Sequence, residues 1–311
     1  MDDPTPSVDF RSGFVAVVGR PNVGKSTLIN AWLKQPVAAV SPRPQTTRRR
    51  QLGILTLPKA QAILVDTPGV HRPHHKLGQA LNRTAMDAVR DADVVLAVCD
   101  LSEPPTQEDH QVAEHLRALS PSTIVVALNK VDLVPPQLVA GRVTGFRKLF
   151  PAAAVLPISA ANGAGLEELL ALVVDRLPPG PAYYPEDAVT DTYERDLAGD
   201  LIRSAALGLL REEVPHSLAV QVDEYRERDS GSAYIAATLL VERESQKGIV
   251  IGKGGSMLKQ IGSRARQEIE KLVERRVFLD LRVRVLPDWR DDPNALRRLG
   301  FAPPPPRRDG P

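Results

Sequence analysis

Residues 14–33 read FVAVVGRPNVGKSTLINAWL, a stretch that changes character twice. Phe14 to Gly19 is an apolar run suited to a buried strand, and Lys25 to Leu33 carries the apolar spacing of a helix. Between them GRPNVGKST, residues 19–27, contains G-x-x-x-x-G-K-S in full. A strand before this motif and a helix after it form the setting in which it wraps phosphates. Its glycines let the backbone turn amide hydrogens and the helix N-terminus toward negative charge. The loop thereby offers Gly19, Asn22, Val23, Gly24, Lys25, Ser26 and Thr27 to a nucleotide. Lys25 suits the β and γ phosphates, and the Ser26 hydroxyl suits magnesium.

The same alternation recurs downstream. AILVDT (62–67), DVVLAVCD (93–100), STIVVALNK (122–130) and AAVLPIS (153–159) read as strands ending in polar residues. Helical stretches such as LGQALNRTAMDAVR and GLEELLALVVDRL lie between most of them. This predicts an α/β domain, a mostly parallel sheet with helices on both faces that binds ligands beyond the carboxyl ends of its strands. RRRQLGILTL and KAQAILVDTPG, a short turn apart, predict one antiparallel pair. The strand ends carry further motifs. DTPG (66–69) places Asp66 to hold magnesium through its water shell and the Gly69 amide to sense a γ phosphate. NKVD (129–132) supplies Asn129, Lys130 and Asp132. A carboxylate only accepts hydrogen bonds, so Asp132 suits a base edge with two adjacent donors, which guanine has and adenine lacks. Ser159 and Ala160 can offer a backbone amide to the guanine oxygen. Four such strings in order at four strand ends predict GTP and GDP as the nucleotides and Mg2+ as the metal.

LPPGPAYYPEDAVTD (177–191) breaks the pattern with proline and reads as a linker. After it the order is helix, two alternating strands, a short helix ending at Ile251, a glycine turn, a long helix from Ser256 to about Glu274, and a strand VFLDLRVRVL. That describes a smaller α+β domain. The turn, Gly252-Lys253-Gly254-Gly255, joins two helices, so it lacks the strand-to-helix setting of a nucleotide loop. Two helix ends converging on a glycine turn favour a phosphodiester, as in a KH domain gripping about four nucleotides of single strand. Between 247 and 284 ten Lys and Arg stand against four acidic residues, an excess of +6 that attracts phosphate. Gly252, Lys253, Gly254, Gly255 and Lys259 are the candidate RNA contacts. Of the apolar residues nearby, Ile249, Ile251, Met257 and Ile261, most suit the core and one or two suit a shallow groove for bases. Arg48 to Arg50 read as a solvated charge run and are assigned no role.

With these motifs in place the chain resembles the translation-factor-related GTPases and, through its carboxy-terminal half, the Era GTPase family. QTTRR (45–49), YYPED, EEVPHS and VIGKGG carry the likeness across nearly the whole length. The resemblance implies a P-loop GTPase domain over 1–178, a linker over 179–191, a type II KH domain over 192–300 and a disordered tail over 301–311. It also implies that Thr47, with Thr46 as the competing choice, is the magnesium-binding switch threonine. Lys25, Thr47, Asp66 and Gly69 then form the catalytic set, with Ser26, Thr47 and Asp66 around the metal. Asn22 matches an asparagine that helps such GTPases bind potassium, so K+ joins the implied cofactors. Val70 stands where a Ras-like protein has the glutamine that orients water, so intrinsic hydrolysis should be slow. The implied partners are single-stranded RNA at the 3′ end of 16S rRNA and the 30S subunit, with peripheral contact of some members at the inner face of the cell membrane. No DNA partner is expected.

Composition fits this reading. Hydrophobic residues make up 42% and charged residues 25%, ordinary values for a globular chain, and no apolar run is long enough to span a bilayer. The acidic, proline-broken start lacks the features of a signal peptide, which predicts a cytoplasmic protein. The lone Cys99 excludes an intrachain disulfide. A phosphotransferase acting on a small substrate would need an acceptor pocket and base, and a membrane scaffold would need an amphipathic basic helix or lipid attachment motif; the sequence offers neither set.

Overall fold

The computed structural model describes residues 10–35, 38, 47–151, 153–228 and 231–301. β1 (Arg11–Val18) runs into the phosphate loop and α1 (Lys25–Leu33). Then come β2 (Gln51–Leu57), β3 (Ala60–Asp66), α2 (Lys76–Asp91), β4 (Val94–Asp100), α3 (Gln107–Leu119) and β5 (Ile124–Asn129). α4 (Pro136–Leu149), β6 (Ala154–Pro157) and α5 (Leu166–Val174) complete the first unit. The strands join in the order β2-β3-β1-β4-β5-β6, parallel throughout except for β2 against β3. Helices cover both faces, so a central strand has no solvated side: all seven residues of β4 are buried. Alternate residues of β1 feed opposite cores, Ala16 and Val18 on one face, Val15 and Val17 on the other. Cys99 lies in the first of these cores, where burial pushes its thiol up and leaves it inert.

Two features of this unit go beyond the sequence pattern. α4 has only Phe146 fully buried and two glycines within it, so its apolar spacing is too weak to read as a helix in advance. The proline-rich segment, read as a linker, contains no helix but is strapped along the sheet's edge. Val189 accepts from the Ile54 amide at 2.8 Å, and the Thr190 hydroxyl donates to the Leu52 carbonyl at 2.6 Å. The buried Gln61 accepts from the amides of Tyr183 and Tyr184 at 2.7 and 3.0 Å. The outer edge of β2, which would otherwise present unpaired backbone groups, is thereby covered.

The second unit contains α6 (Glu194–Leu209), α7 (Val214–Ser217), β7 (Ala219–Glu227), β8 (Ala233–Val241), α8 (Glu244–Ile251), α9 (Ser256–Val273), β9 (Val277–Val285) and α10 (Pro293–Arg298). Its sheet runs β7-β8-β9, antiparallel then parallel. The expected helix-strand-strand-helix-helix-strand order is present, with α7 and α10 added. Odd-numbered residues of β8 from Ala233 to Val241 pack under the helices. The segment after β9 turns back onto the first unit: Trp289 is fully buried among Leu77 and Leu81 of α2 and Leu296 and Leu299 of the α10 region. Phe301, expected to begin a disordered tail, instead packs its ring 6.3 Å from that of Trp289. Residues 302–311 of the expected tail lie outside the described residues.

Candidate functional site

The phosphate loop follows from strand geometry. β1 ends deep in the sheet, and the chain needs a left-handed turn at Gly24, φ 98°, to launch α1. A Cβ there would stand 2.2 Å from the Asn129 carboxamide nitrogen, so only glycine fits. Lys25 folds back over the loop and donates to the carbonyls of Gly19 and Arg20 at 3.2 and 3.0 Å. Burial pushes its ammonium down to about 8, against the pull of Asp66 and helped by the Arg20 charge. Val23 is buried beneath the loop, whereas Asn22 is exposed in a left-handed conformation, φ 62°.

The three expected metal ligands converge. Asp66 Oδ2 accepts from Ser26 Oγ at 2.8 Å and from Thr47 Oγ1 at 2.9 Å, and the two hydroxyls lie 3.1 Å apart. Burial pushes the Asp66 carboxyl up, while Lys25 and the two hydroxyls hold it down. The Thr67 amide stabilises the anion, yet Oδ1 is buried with no full hydrogen bond among the described residues. Hard oxygen donors with one carboxylate oxygen left over suit Mg2+. Thr46, the competing threonine, lies outside the described residues. Val70 is buried, its amide donating to the Gly19 carbonyl at 3.1 Å, so its side chain belongs to the core. That contact places Gly69 directly against the phosphate loop.

The base-recognition strings also meet. Asn129 donates to the Val23 carbonyl at 2.8 Å and accepts from the Ala160 amide at 2.9 Å, tying three loops together. The Ala160 amide, expected to face the guanine oxygen, is thus engaged by Asn129 here. Ser159 is fully buried, its amide bonded to the Ala164 carbonyl. Asp132 stands exposed in a short 3-10 turn, Val131–Leu133, open to a base edge. Lys130 is held by a residue not singled out in the sequence, Asp100 at the carboxyl end of β4, at 2.6 Å. Burial would raise the Asp100 carboxyl, but Lys130 and Ser102 hold it below its ordinary range. Asp100 also faces Arg20, which pairs with Glu103 and, at 3.3 Å, with Asp109. The polar ends of the strands were the available signal for this residue.

Arg48 and Arg49 overturn the reading of a solvated charge run. Arg48 is 3% exposed and donates to the carbonyls of Leu218 and His216 at 2.8 and 3.1 Å, with its guanidinium 5.6 Å from the Trp289 ring centre. Arg49 pairs with Asp196 at 2.7 Å and donates to the Leu299 carbonyl at 3.0 Å. Gln51 donates to Asp200 at 2.5 Å. The segment that leaves the metal-ligand cluster at Thr47 is therefore gripped at once by the second unit. On the other side of the nucleotide site, α2 is held too, its Leu77 amide donating to the Arg290 carbonyl at 2.9 Å.

In the second unit Gly252, Gly254 and Gly255 take positive φ between α8 and α9, exposing Lys253. A groove of about 1050 Å3 runs beside this turn, with Gly255, Lys259 and Arg266 on one wall and Arg276, Leu279 and Leu281 on the other. Ion pairs neutralise Lys247, Lys271, Arg275 and Arg282. Lys253, Lys259, Arg264, Arg266, Arg276 and Arg284 take part in none among the described residues; of these, Lys259, Arg266 and Arg276 line the groove beside Glu270 and Glu274, and Lys253 stands on the turn next to it. Ile261 is fully buried and Ile249 half exposed, and neither lines this groove, whose apolar lining includes Leu258, Leu279 and Leu281.

Comparison with known proteins matches this layout. A family model described as 50S ribosome-binding GTPase matches residues 14–130, and one described as KH domain matches 213–290. GTPase Era of Geobacter metallireducens is 44% identical over 293 residues, covering 94% of this chain and 98% of the relative. GTPase Era of Mycolicibacterium smegmatis is 47% identical over 297 residues, covering 94% and 99%. A crystal structure of Era with MgGDPNP and nucleotides 1506–1542 of 16S ribosomal RNA superposes with a TM-score of 0.90 at 39% identity, covering 94% of this chain and all of that one.

Proposed function

Since the chain belongs to the Era family and is a GTPase with a carboxy-terminal KH domain, we propose that bound GTP sets how that KH domain grips single-stranded RNA. One observation carries this: Thr47 bonds to Asp66 in the metal-ligand cluster while its neighbour Arg48 is locked into the KH domain. A γ phosphate that draws Thr47 toward itself moves the arginine grip by chain continuity, with no further relay.

We assign Ser26, Thr47 and Asp66 to Mg2+, which when bound neutralises the charge on the β and γ phosphoryl oxygens. Lys25 supplies a second positive charge, and Gly69 offers its amide to the γ phosphate. Asp132 reads the guanine edge, with Asn129 and Lys130 shaping the pocket. The buried Val70 side chain has no polar atom to orient water, so intrinsic turnover is slow, and we assign Asn22 to a K+ ion that assists it. Gly252 to Gly255 and Lys259 hold the RNA backbone. The related Era structure holding MgGDPNP together with nucleotides 1506–1542 of 16S rRNA supports 16S rRNA as the ligand, and we assign its 3′ end, with maturation of the 30S subunit in the cytoplasm as the setting. None of the described helices is long and apolar enough to cross a membrane.

Phosphate release with GTP or ATP, in potassium or sodium, tests the enzymatic half. GTP in potassium should turn over fastest and ATP should not turn over. Equal rates in the two salts would remove the ion, and hydrolysis of ATP would remove the base assignment.

A further inference from the structure

The seam between the two domains encloses a cavity of about 290 Å3 that shares no lining residue with the phosphate loop or the GxxG groove. Five arginines are among its lining residues: Arg48 and Arg49 from the segment after Thr47, Arg195 and Arg203 from α6, and Arg298 from the end of α10. Asp196 and Asp200 are the carboxylates of its lining. Arg49 pairs with Asp196. Arg48 and Arg195 donate to backbone carbonyls, and Arg298 takes part in no ion pair among the described residues.

Positive groups therefore outnumber negative ones, and two of them are deeply placed, Arg48 at 3% and Arg203 at 4% exposure. Burial first, then the charges of Arg203 and Arg290, hold the Arg48 guanidinium well below its ordinary value, with Asp200 only partly opposing them. Like charges gathered out of water repel unless a counter-charge joins them. Exposed Arg195 and Arg298 leave such a counter-charge a way in. Guanidinium forks match phosphoryl oxygens in pairs, and the volume holds one or two phosphoryl groups but no polymer. A second cavity of about 280 Å3, also lined by Arg48 and Arg49, adds Arg50 and meets Leu81 and Thr84, extending the positive seam toward α2.

We propose that this seam is a binding site for a small phosphoryl anion, such as inorganic pyrophosphate or phosphate, which cross-links the segment after Thr47 to α6 and α10. The site follows from the seam alone. Its consequence, a tighter hold of the KH domain on the nucleotide-sensing segment, rests on the proposed switch.

The test is the unfolding midpoint of the full chain saturated with MgGDP, so that the phosphate loop is closed to the probe, titrated with pyrophosphate at constant ionic strength. A saturable rise of about 3 °C is expected at tenfold excess over the dissociation constant. The rise should fall by half or more in the Arg195→Ala, Arg298→Ala double variant and persist in Lys259→Ala, which alters only the groove. Calorimetry on the unmodified chain should give one site, a readout independent of how the variants fold. No rise beyond that of chloride, or an undiminished rise in the double variant, overturns the proposal. Stabilisation by an oligoribonucleotide with none by pyrophosphate also overturns it, in favour of an RNA phosphate. The experiment uses the GDP form without a state comparison, so its failure leaves the switch standing.

Discussion

Asp132 stands in solvent on a 3-10 turn, so replacing it disturbs no packing. Asp132→Asn exchanges an acceptor for a donor against the base. GTP affinity should fall by about 100-fold and xanthosine triphosphate should be gained, measured by competition with a fluorescent nucleotide; an unchanged guanine preference would refute the assignment. Lys25 allows a test by pH. Its ammonium, pushed down to about 8 by burial, is half deprotonated at that pH in the free protein. A phosphate beside it favours the charged form and raises that value, so nucleotide binding takes up a proton. Uptake should approach about half a proton at pH 8 and shrink toward zero near pH 6, where Lys25 is already charged. Calorimetry in buffers of different ionisation heat measures it, and no uptake at pH 8 would contradict a lysine closed over the phosphates. Both residues are legible in the sequence because each sits in a contiguous string at a strand end. Arg48 is not, since its carbonyl partners lie 168 and 170 positions away and nothing local announces them.

At the scale of elements, the glycine turn between α8 and α9 carries the RNA assignment. Gly254 has φ 59°, a conformation that aspartate tolerates better than most residues, and a Cβ there meets nothing within 4 Å. Gly254→Asp should therefore leave the fold intact while placing a negative charge where a phosphodiester would lie. Filter binding should show RNA retention lost and GTP affinity unchanged; retained RNA would refute the clamp. Gly252 is a poorer choice, because a Cβ there would stand 2.7 Å from Met257 Cβ. The elements themselves are largely legible, since central strands buried on both faces and helices with apolar stripes leave strong periodic signals. α4 and α10 leave weaker ones, being short of buried residues or short altogether. The linker is legible as a break, but not as a strap, because its hydrogen bonds to Gln61, Leu52 and Ile54 depend on the sheet edge it meets.

Across the whole molecule, two segments flanking the nucleotide site, the stretch after Thr47 and the start of α2, end in contacts with the KH domain. Removing the Arg48 side chain would take the donor from the buried Leu218 carbonyl and loosen the contact with the part-buried His216 carbonyl, a cost of about 1–3 kcal/mol that falls on the docked arrangement. That interface is the part of the account furthest from the sequence, where the same arginines look like solvated charge. A ligand shifts such an equilibrium only by its differential affinity for the two arrangements. Fluorescence anisotropy of a labelled single-stranded oligoribonucleotide, titrated with the chain loaded with GDPNP or with GDP, measures that difference directly. The account predicts tighter binding in the GDPNP form by about 5-fold or more, with the ratio collapsing toward one in Arg48→Ala. Equal affinities in the two forms of the unaltered chain would contradict it.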